Sequence, residues 1–89
     1  MILIISERIK TTVCDVLSRV TLIGDDIYRF DDDLSLMEFG LDSYQLITVI
    51  IEIETLHGIK FSDEQLIANN FNTINNIIAS IKEALNEKL

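Results

Sequence analysis

The sequence predicts an all-α fold: a small four-helix bundle of three main helices plus one short helix, with a long loop between helices 1 and 2. Its 89 residues include no proline and only three glycines, a composition that disfavours a turn-rich β fold. Apolar residues make up 48% of the chain and recur at helical spacing in three stretches. That is enough for one modest core, so we expect one domain over residues 1–89.

The first predicted helix covers residues 3–20. Its apolar stripe consists of Ile5, Ile9, Val13, Val16, Leu17 and Val20. The apolar run at residues 2–5 is too short to span a membrane and does not resemble a secretion signal. The single cysteine, Cys14, is expected to be a small core residue and is typical of a reducing compartment. The sequence therefore predicts a cytoplasmic protein.

A long connection and a second helix follow. Gly24 and the aspartates after it end the first pattern, and residues 21–42 form a loop with Leu34, Leu36 and Phe39 as expected anchors on the core. A loop of this length in so small a domain is often functional. The second helix is expected to cover residues 43–57 and to end at Gly58.

The remaining elements are a short and a long helix. Residues 59–61 are expected to form an extended link, and Ser62 is a candidate N-cap of the short third helix. The last helix is expected to begin near Asn72 or Thr73, because either side chain can cap it. Its buried stripe would comprise Ile74, Ile77, Ile78, Ile81 and Leu85.

The net charge of −8 is concentrated in the middle of the chain. Residues 24–57 contain nine acidic residues and one basic residue, whereas the rest contains six of each. Nucleic-acid binding is not expected, because phosphates would be repelled there. Protein partners with basic docking surfaces are the natural counterpart. The alternative is that the acids only keep the protein soluble.

The segment Gly40-Leu41-Asp42-Ser43-Tyr44 opens the second helix. It resembles the attachment motif of the acyl carrier protein family, the phosphopantetheine-dependent acyl and peptidyl carriers. The stretches at residues 54–61 and 71–78 also resemble that family, so the likeness covers essentially the whole chain. It departs from the family pattern at His57, where an aromatic residue is usual, and at Tyr44, where leucine is commoner.

The resemblance implies that Ser43 carries a 4'-phosphopantetheine arm derived from coenzyme A, with Gly40, Leu41 and Asp42 completing the attachment motif. A helix N-terminus suits a phosphodiester, because its N–H groups are unpaired and its dipole is positive there. The alternative is that Ser43 is an unmodified N-cap of the second helix.

The second helix carries two apolar stripes. Leu46, Val49, Ile50 and Ile53 lie on one side, which we assign to the core, with Leu56 and His57 at its edges. Tyr44, Ile47 and Ile51 lie on the other side, flanked by Glu52 and Glu54. We call these three apolar residues the docking ridge, because the family's second helix is its general recognition helix. The alternative is that the long loop covers the ridge.

These features predict a stand-alone, monomeric carrier of acyl or aminoacyl thioesters. It is not expected to be an enzyme or to bind a metal, because no catalytic or metal-ligating cluster is visible. Its partners would be a phosphopantetheinyl transferase and loading, condensing or processing enzymes. Gln45 and Thr48 stand where fatty-acid carriers often have acids, which favours a polyketide, nonribosomal-peptide or cell-wall aminoacyl pathway. The alternatives are a fatty-acid synthesis carrier and an unmodified interaction module.

Overall fold

The computed structural model describes residues 2–88, with side chains for residues 6–86. Met1, Leu89 and the side chain of Ile5, all included in the sequence predictions, lie outside this description. The helices are α1 (Ile2–Val20), α2 (Ser43–His57) and α3 (Ile74–Lys88). Short 3-10 helices span Gly24–Arg29, Leu36–Phe39 and Ala68–Phe71. The predicted all-α bundle is confirmed.

The core lies where the three predicted stripes meet. Helix α1 packs against α2, α3 and the first 3-10 helix. The side chains that contribute most to it are fully buried: Phe71, Leu17, Ile27, Leu36, Ile53, Ile74, Ile77, Ile81, Val13, Val16 and Val49. Cys14 is buried among them as predicted, and burial raises the pKa of its thiol. Cys14 is therefore a core residue that stays protonated.

The connection between α1 and α2 differs from the prediction in its anchors. Leu36 is fully buried, as expected, but Leu34 and Phe39 are exposed. Ile27 supplies a second buried anchor, and Phe39 instead packs edge-on against Phe30, with ring centroids 4.9 Å apart. The sequence pattern did not show this, because two 3-10 helices change which loop residues face inward.

The short third helix is displaced along the chain. Residues 63–65 form only a turn, and the short helix lies at Ala68–Phe71. Ser62 still acts as a cap, since its hydroxyl accepts a hydrogen bond from the Gln65 N–H at 3.2 Å. Buried Gln65 donates to the Ser80 carbonyl at 3.1 Å, which holds this turn against α3.

The ends of α2 and α3 match their predicted residues. Gly58 ends α2 in the left-handed region (φ 62°), which glycine adopts without steric cost. Thr73 caps α3, because its hydroxyl accepts a hydrogen bond from the Asn76 N–H at 3.0 Å. Asn72, the other candidate cap, points its side chain towards the long connection instead.

Candidate functional site

Ser43 is the first residue of α2 and is exposed. It is not the N-cap: the Asp42 carboxylate accepts a hydrogen bond from the Gln45 N–H at 2.7 Å, and Gln45 Oε1 accepts one from the Asp42 N–H at 3.4 Å. Asp42, and not Ser43, is therefore the N-cap of α2, so the capping part of the alternative is wrong. Among the side chains described, those of residues 6–86, none forms a hydrogen bond with the Ser43 hydroxyl.

The chain reaches Ser43 through a tight turn. The 3-10 helix Leu36–Phe39 ends at Gly40, whose φ of 111° is unfavourable for residues with a side chain. Leu41 then turns inward and is buried, and its N–H donates to the Leu36 carbonyl at 3.1 Å. Leu41 is thus buried, whereas Asp42 and Ser43 after it are exposed. This change places the serine at the surface where α2 begins.

The electrostatic setting of Ser43 suits an attached phosphodiester. The first N–H groups of an α-helix have no acceptor within the helix, and its N-terminus carries a partial positive charge. In α2 the Asp42 carboxylate satisfies the Gln45 N–H, and the two N–H groups before it belong to Ser43 and Tyr44. The residues present therefore fit a phosphopantetheine group at this position.

An apolar groove begins at Ser43 and runs between α2 and residues 66–71. Its volume is about 350 Å³. It is lined by Ser43, Leu46, Ile47, Ile50, Ile51, Leu66, Ile67, Ala68 and Phe71. No charged side chain is among them, so the groove can shelter the apolar part of a chain attached at Ser43.

One wall of this groove was missed by the sequence prediction. Leu66, Ile67 and Ala68 were not predicted as site residues, because their segment has neither helical nor strand periodicity. The signal available in the sequence was the apolar run Leu66-Ile67-Ala68, which follows a polar turn and has no role in the predicted short helix. Leu66 and Ile67 are exposed and line the groove together with Ile47 and Ile51, so they belong to an apolar patch of the kind that marks interaction sites.

The docking ridge is exposed on the surface of α2. The exposed fractions are 81% for Tyr44, 58% for Ile47 and 57% for Ile51. Opposite them, Leu46, Val49 and Ile53 are buried as predicted, and Ile50 is half-buried. The alternative that the long loop buries the ridge is wrong. Leu56, which was placed at the edge of the core, is also exposed.

The two acids beside the ridge have partners within the chain. The Arg19 guanidinium of α1 donates to Glu52 at 2.9 Å. The Glu54 carboxylate accepts a hydrogen bond from the Phe61 N–H at 2.9 Å, linking α2 to the segment after it. The partner role predicted for both acids stays a prediction, and each also has an intramolecular contact. Asp25, Asp26 and Glu38 are exposed acids elsewhere in the acidic stretch.

Other chemistry is limited within the described part of the chain. Burial lowers the pKa of His57, so its imidazole favours the neutral form, and its Nε2 has no hydrogen-bond partner there. Among the residues described, no cluster of three or more histidine, cysteine or acidic side chains could hold a metal ion. No described helix is both long and apolar enough to cross a membrane.

Comparison with known proteins gives a consistent result. The family profile described as "Phosphopantetheine attachment site" matches residues 7–81. The D-alanyl carrier protein of Lactococcus lactis subsp. cremoris (strain MG1363) is 33% identical over 79 residues, which is 88% of this chain and 98% of that protein. The D-alanyl carrier protein of Lacticaseibacillus casei (strain BL23) is 32% identical over 79 residues, covering 88% and 95%.

Proposed function

The chain belongs to the phosphopantetheine-dependent carrier proteins, and from this premise we propose that Ser43 bears the arm and that its cargo is a small aminoacyl group of the D-alanyl type. Family membership establishes a covalently attached 4'-phosphopantetheine and a carrier that is not itself an enzyme. What remains to be assigned is the attachment residue, the cargo and the partners.

The exposed, unbonded hydroxyl of Ser43 is the observation that carries the attachment proposal. In the loading reaction this oxygen forms a bond to the pantetheine-side phosphorus of coenzyme A. The phosphoanhydride bond breaks, adenosine bisphosphate leaves, and the serine proton passes to a base of the transferase. The terminal thiol of the arm, when present, holds the cargo as a thioester. The protein contributes the reacting hydroxyl, the positive helix end beside the phosphate and the neighbouring groove.

The similarity to D-alanyl carrier proteins supports an aminoacyl cargo. The match spans nearly the full length of those relatives, and it agrees with the Gln45 and Thr48 departures from fatty-acid carriers. We therefore propose an amino-acid-activating enzyme as the partner that supplies the cargo. A phosphopantetheinyl transferase is the partner that attaches the arm.

The apolar groove favours a second candidate, a carrier of longer acyl chains in fatty-acid or polyketide synthesis. A groove of about 350 Å³ with no charged lining is suited to a hydrocarbon chain. An α-ammonium group would find no counter-charge among its lining residues. An aminoacyl group would therefore stay outside the groove, whereas a fatty acyl chain would enter it.

Intact-mass measurement tests both parts of the proposal. Incubation with coenzyme A and a broad-specificity transferase should add one phosphopantetheine to wild type and to Ser62→Ala, and none to Ser43→Ala. Ser62 is the matched control because it opens a turn next to Asp63, as Ser43 opens α2 next to Asp42. Ser43→Ala should melt with wild type, because Asp42 supplies the cap.

Labelling of Ser43→Ala would contradict the attachment residue, and so would an unlabelled wild type beside a modified control carrier. The mass of the protein purified from its native host then identifies the cargo. An aminoacyl thioester supports the first candidate, and a long acyl thioester supports the second.

A further inference from the structure

Asn72 joins the start of α3 to the connection that leads to Ser43. Its backbone carbonyl accepts a hydrogen bond from the Leu36 N–H at 2.7 Å. Its side-chain oxygen accepts one from the Met37 N–H at 2.9 Å, and its amide nitrogen donates to the Ser35 hydroxyl at 2.9 Å. One residue thus contacts three consecutive residues that are 35 to 37 positions away in sequence.

The position of Asn72 makes it a rigid support. Its chain neighbour Phe71 is fully buried, and Ile74, the first residue of α3, is 1% exposed. Thr73, between them, caps α3. Because the backbone on both sides is held in the core, the direction of the Asn72 side chain is set by the fold and not by the loop that it contacts.

The residues that Asn72 holds are continuous with the attachment motif. We call residues 35–43 the attachment segment. Met37 lies in the 3-10 helix that ends at Gly40, and the Leu41 N–H donates back to the carbonyl of Leu36. The two ends of this turn are therefore coupled: Asn72 holds its beginning, and Ser43 follows its end.

An asparagine side chain is well suited to this position. It accepts and donates hydrogen bonds at the same time, so it can satisfy the Met37 N–H and the Ser35 hydroxyl together. The Met37 N–H is one of the first in its 3-10 helix and has no acceptor within that helix. Without Asn72 it would need water, and the beginning of the attachment segment would lose its fixed geometry.

We propose that Asn72 is a positioning residue for the modification of Ser43: its side chain holds the attachment segment in the conformation that the transferase binds. This rests on the proposed function, in which Ser43 carries the arm. The hydrogen bonds described for Asn72 go to residues 35–37 and not to Ser43, so it acts through residues 35–41. A protein whose competent conformation is only partly populated binds its partner more weakly in proportion to that fraction.

The chain offers a matched control in Asn75. Its side-chain amide donates to the Asp33 carboxylate at 2.8 Å, and its N–H donates to the Asp32 carbonyl at 3.0 Å. Asn75 therefore also ties α3 to the same connection, but at residues that precede the attachment segment. Loss of either asparagine side chain removes hydrogen bonds between the region around the start of α3 and the connection.

Steady-state kinetics of phosphopantetheine transfer from coenzyme A, with the carrier varied, provide the first measurement. Asn72→Ala should raise the KM for the carrier roughly threefold or more and leave kcat nearly unchanged. Asn75→Ala should leave both near wild type. Asn72→Asp should restore the KM, because its carboxylate can accept from the Met37 N–H and from a Ser35 hydroxyl that now donates.

Amide hydrogen exchange of Met37, followed by NMR in the unmodified carrier, provides a readout that does not depend on the transferase. Exchange should accelerate in Asn72→Ala, return towards the wild-type rate in Asn72→Asp and stay unchanged in Asn75→Ala. Thermal melts of all variants accompany both measurements. Should Asn72→Ala fail to fold, Ser35→Ala removes one of the same hydrogen bonds from the other side, and a raised KM is expected there.

The outcomes separate the two proposals. If wild type is modified normally and Asn72→Ala has a wild-type KM, the positioning role is wrong while attachment at Ser43 stands. The role is also wrong if Asn75→Ala raises the KM as much, because the effect would then be a general loosening of the loop. If wild type takes up no phosphopantetheine, attachment at Ser43 is wrong and the positioning role is lost with it.

Discussion

Asp42 and Ser43 are adjacent in the chain, yet they do different things at the start of α2. The Asp42 carboxylate caps the helix, a contribution of about 0.5–2 kcal/mol to stability, whereas the Ser43 hydroxyl makes no hydrogen bond to a described residue. The Asp42 side chain thus stabilises the helix, and the Ser43 side chain is left for the proposed modification. A modification at Ser43 can be added without removing a contact on which the helix depends.

His57 is the residue for which the structure implies a pH response. Burial lowers its pKa below the ordinary value of 6.5, and its Nε2 has no partner among residues 2–88. The unfolded chain therefore binds a proton more readily than the folded one. Stability contributed by neutral His57 is present above pH 6.5 and is lost as the pH falls through the lowered value.

The test compares the midpoint of urea unfolding at pH 7.5 and at successively lower pH in wild type and His57→Phe. Wild type should lose more stability than the variant on acidification below about pH 6.5, because phenylalanine does not titrate. Equal pH dependence in the two proteins would mean that His57 is not protonated on unfolding in this window, or that carboxylates account for the whole effect.

Helix α2 packs in the core with one face and presents the docking ridge with the other. Val49 and Ile53 pack in the core, and Ile47 and Ile51 face outward beside the groove. Glu52 and Glu54 hold the helix to α1 and to the segment after α2, respectively. The acids near the ridge thus support the position of the helix, and the apolar ridge remains available for a partner.

Three isoleucine-to-alanine changes in α2 compare the two faces, because each change removes the same atoms. Ile53→Ala should reduce the free energy of unfolding by about 2–5 kcal/mol, since it leaves a cavity in the core. Ile47→Ala and Ile51→Ala should change it by roughly 0.5 kcal/mol or less, as expected of exposed positions. The same two changes should weaken transferase binding about tenfold, because each removes apolar area that binding would bury.

A thermal melt and a binding titration on each variant provide the measurements. Melting of Ile47→Ala and Ile51→Ala as early as Ile53→Ala would show that both faces are core. Unchanged transferase affinity in both ridge variants would move the docking surface away from α2.

At the scale of the whole molecule, negative charge is concentrated in the stretch of chain that contains the attachment motif. The acidic stretch at residues 24–57 includes most of the connection, the attachment motif and all of α2. Lys10 and Arg19 of α1 neutralise Asp32 and Glu52, through contacts of 2.9 Å that are worth about 0–1 kcal/mol each at a surface. The acids left exposed and without such contacts, such as Asp25, Asp26 and Glu38, are the ones available to attract a basic partner.

Stopped-flow association with the transferase at increasing salt tests this arrangement. The wild-type rate should fall between 0.1 M and 1 M salt, where the Debye length decreases from about 10 Å to about 3 Å. The double change Asp25→Asn and Asp26→Asn should weaken that salt dependence more than Asp63→Asn with Glu64→Gln, a pair of exposed acids outside the acidic stretch. A rate that does not respond to salt would leave the acids as solubilising groups only.

Local patterns in the sequence were sufficient to predict the three helices and to recognise the attachment motif. Helical spacing placed α1, α2 and α3 within two residues of their observed starts, and Gly58 and Thr73 marked helix ends. These signals are local, because capping and amphipathicity depend on residues within one or two turns. The same locality explains why Gly40, Leu41, Asp42 and Ser43 could be recognised as one motif.

Only the tertiary structure decided what lies around that motif. The groove wall at Leu66 and Ile67, and the contact of Asn72 with Met37, join residues that are distant in sequence and follow no repeating pattern. The inward or outward direction of Leu36 and Phe39 depended on a 3-10 helix that packing selects. Sequence periodicity reports which face of an element is apolar; which distant residue meets that face is determined by how the elements pack.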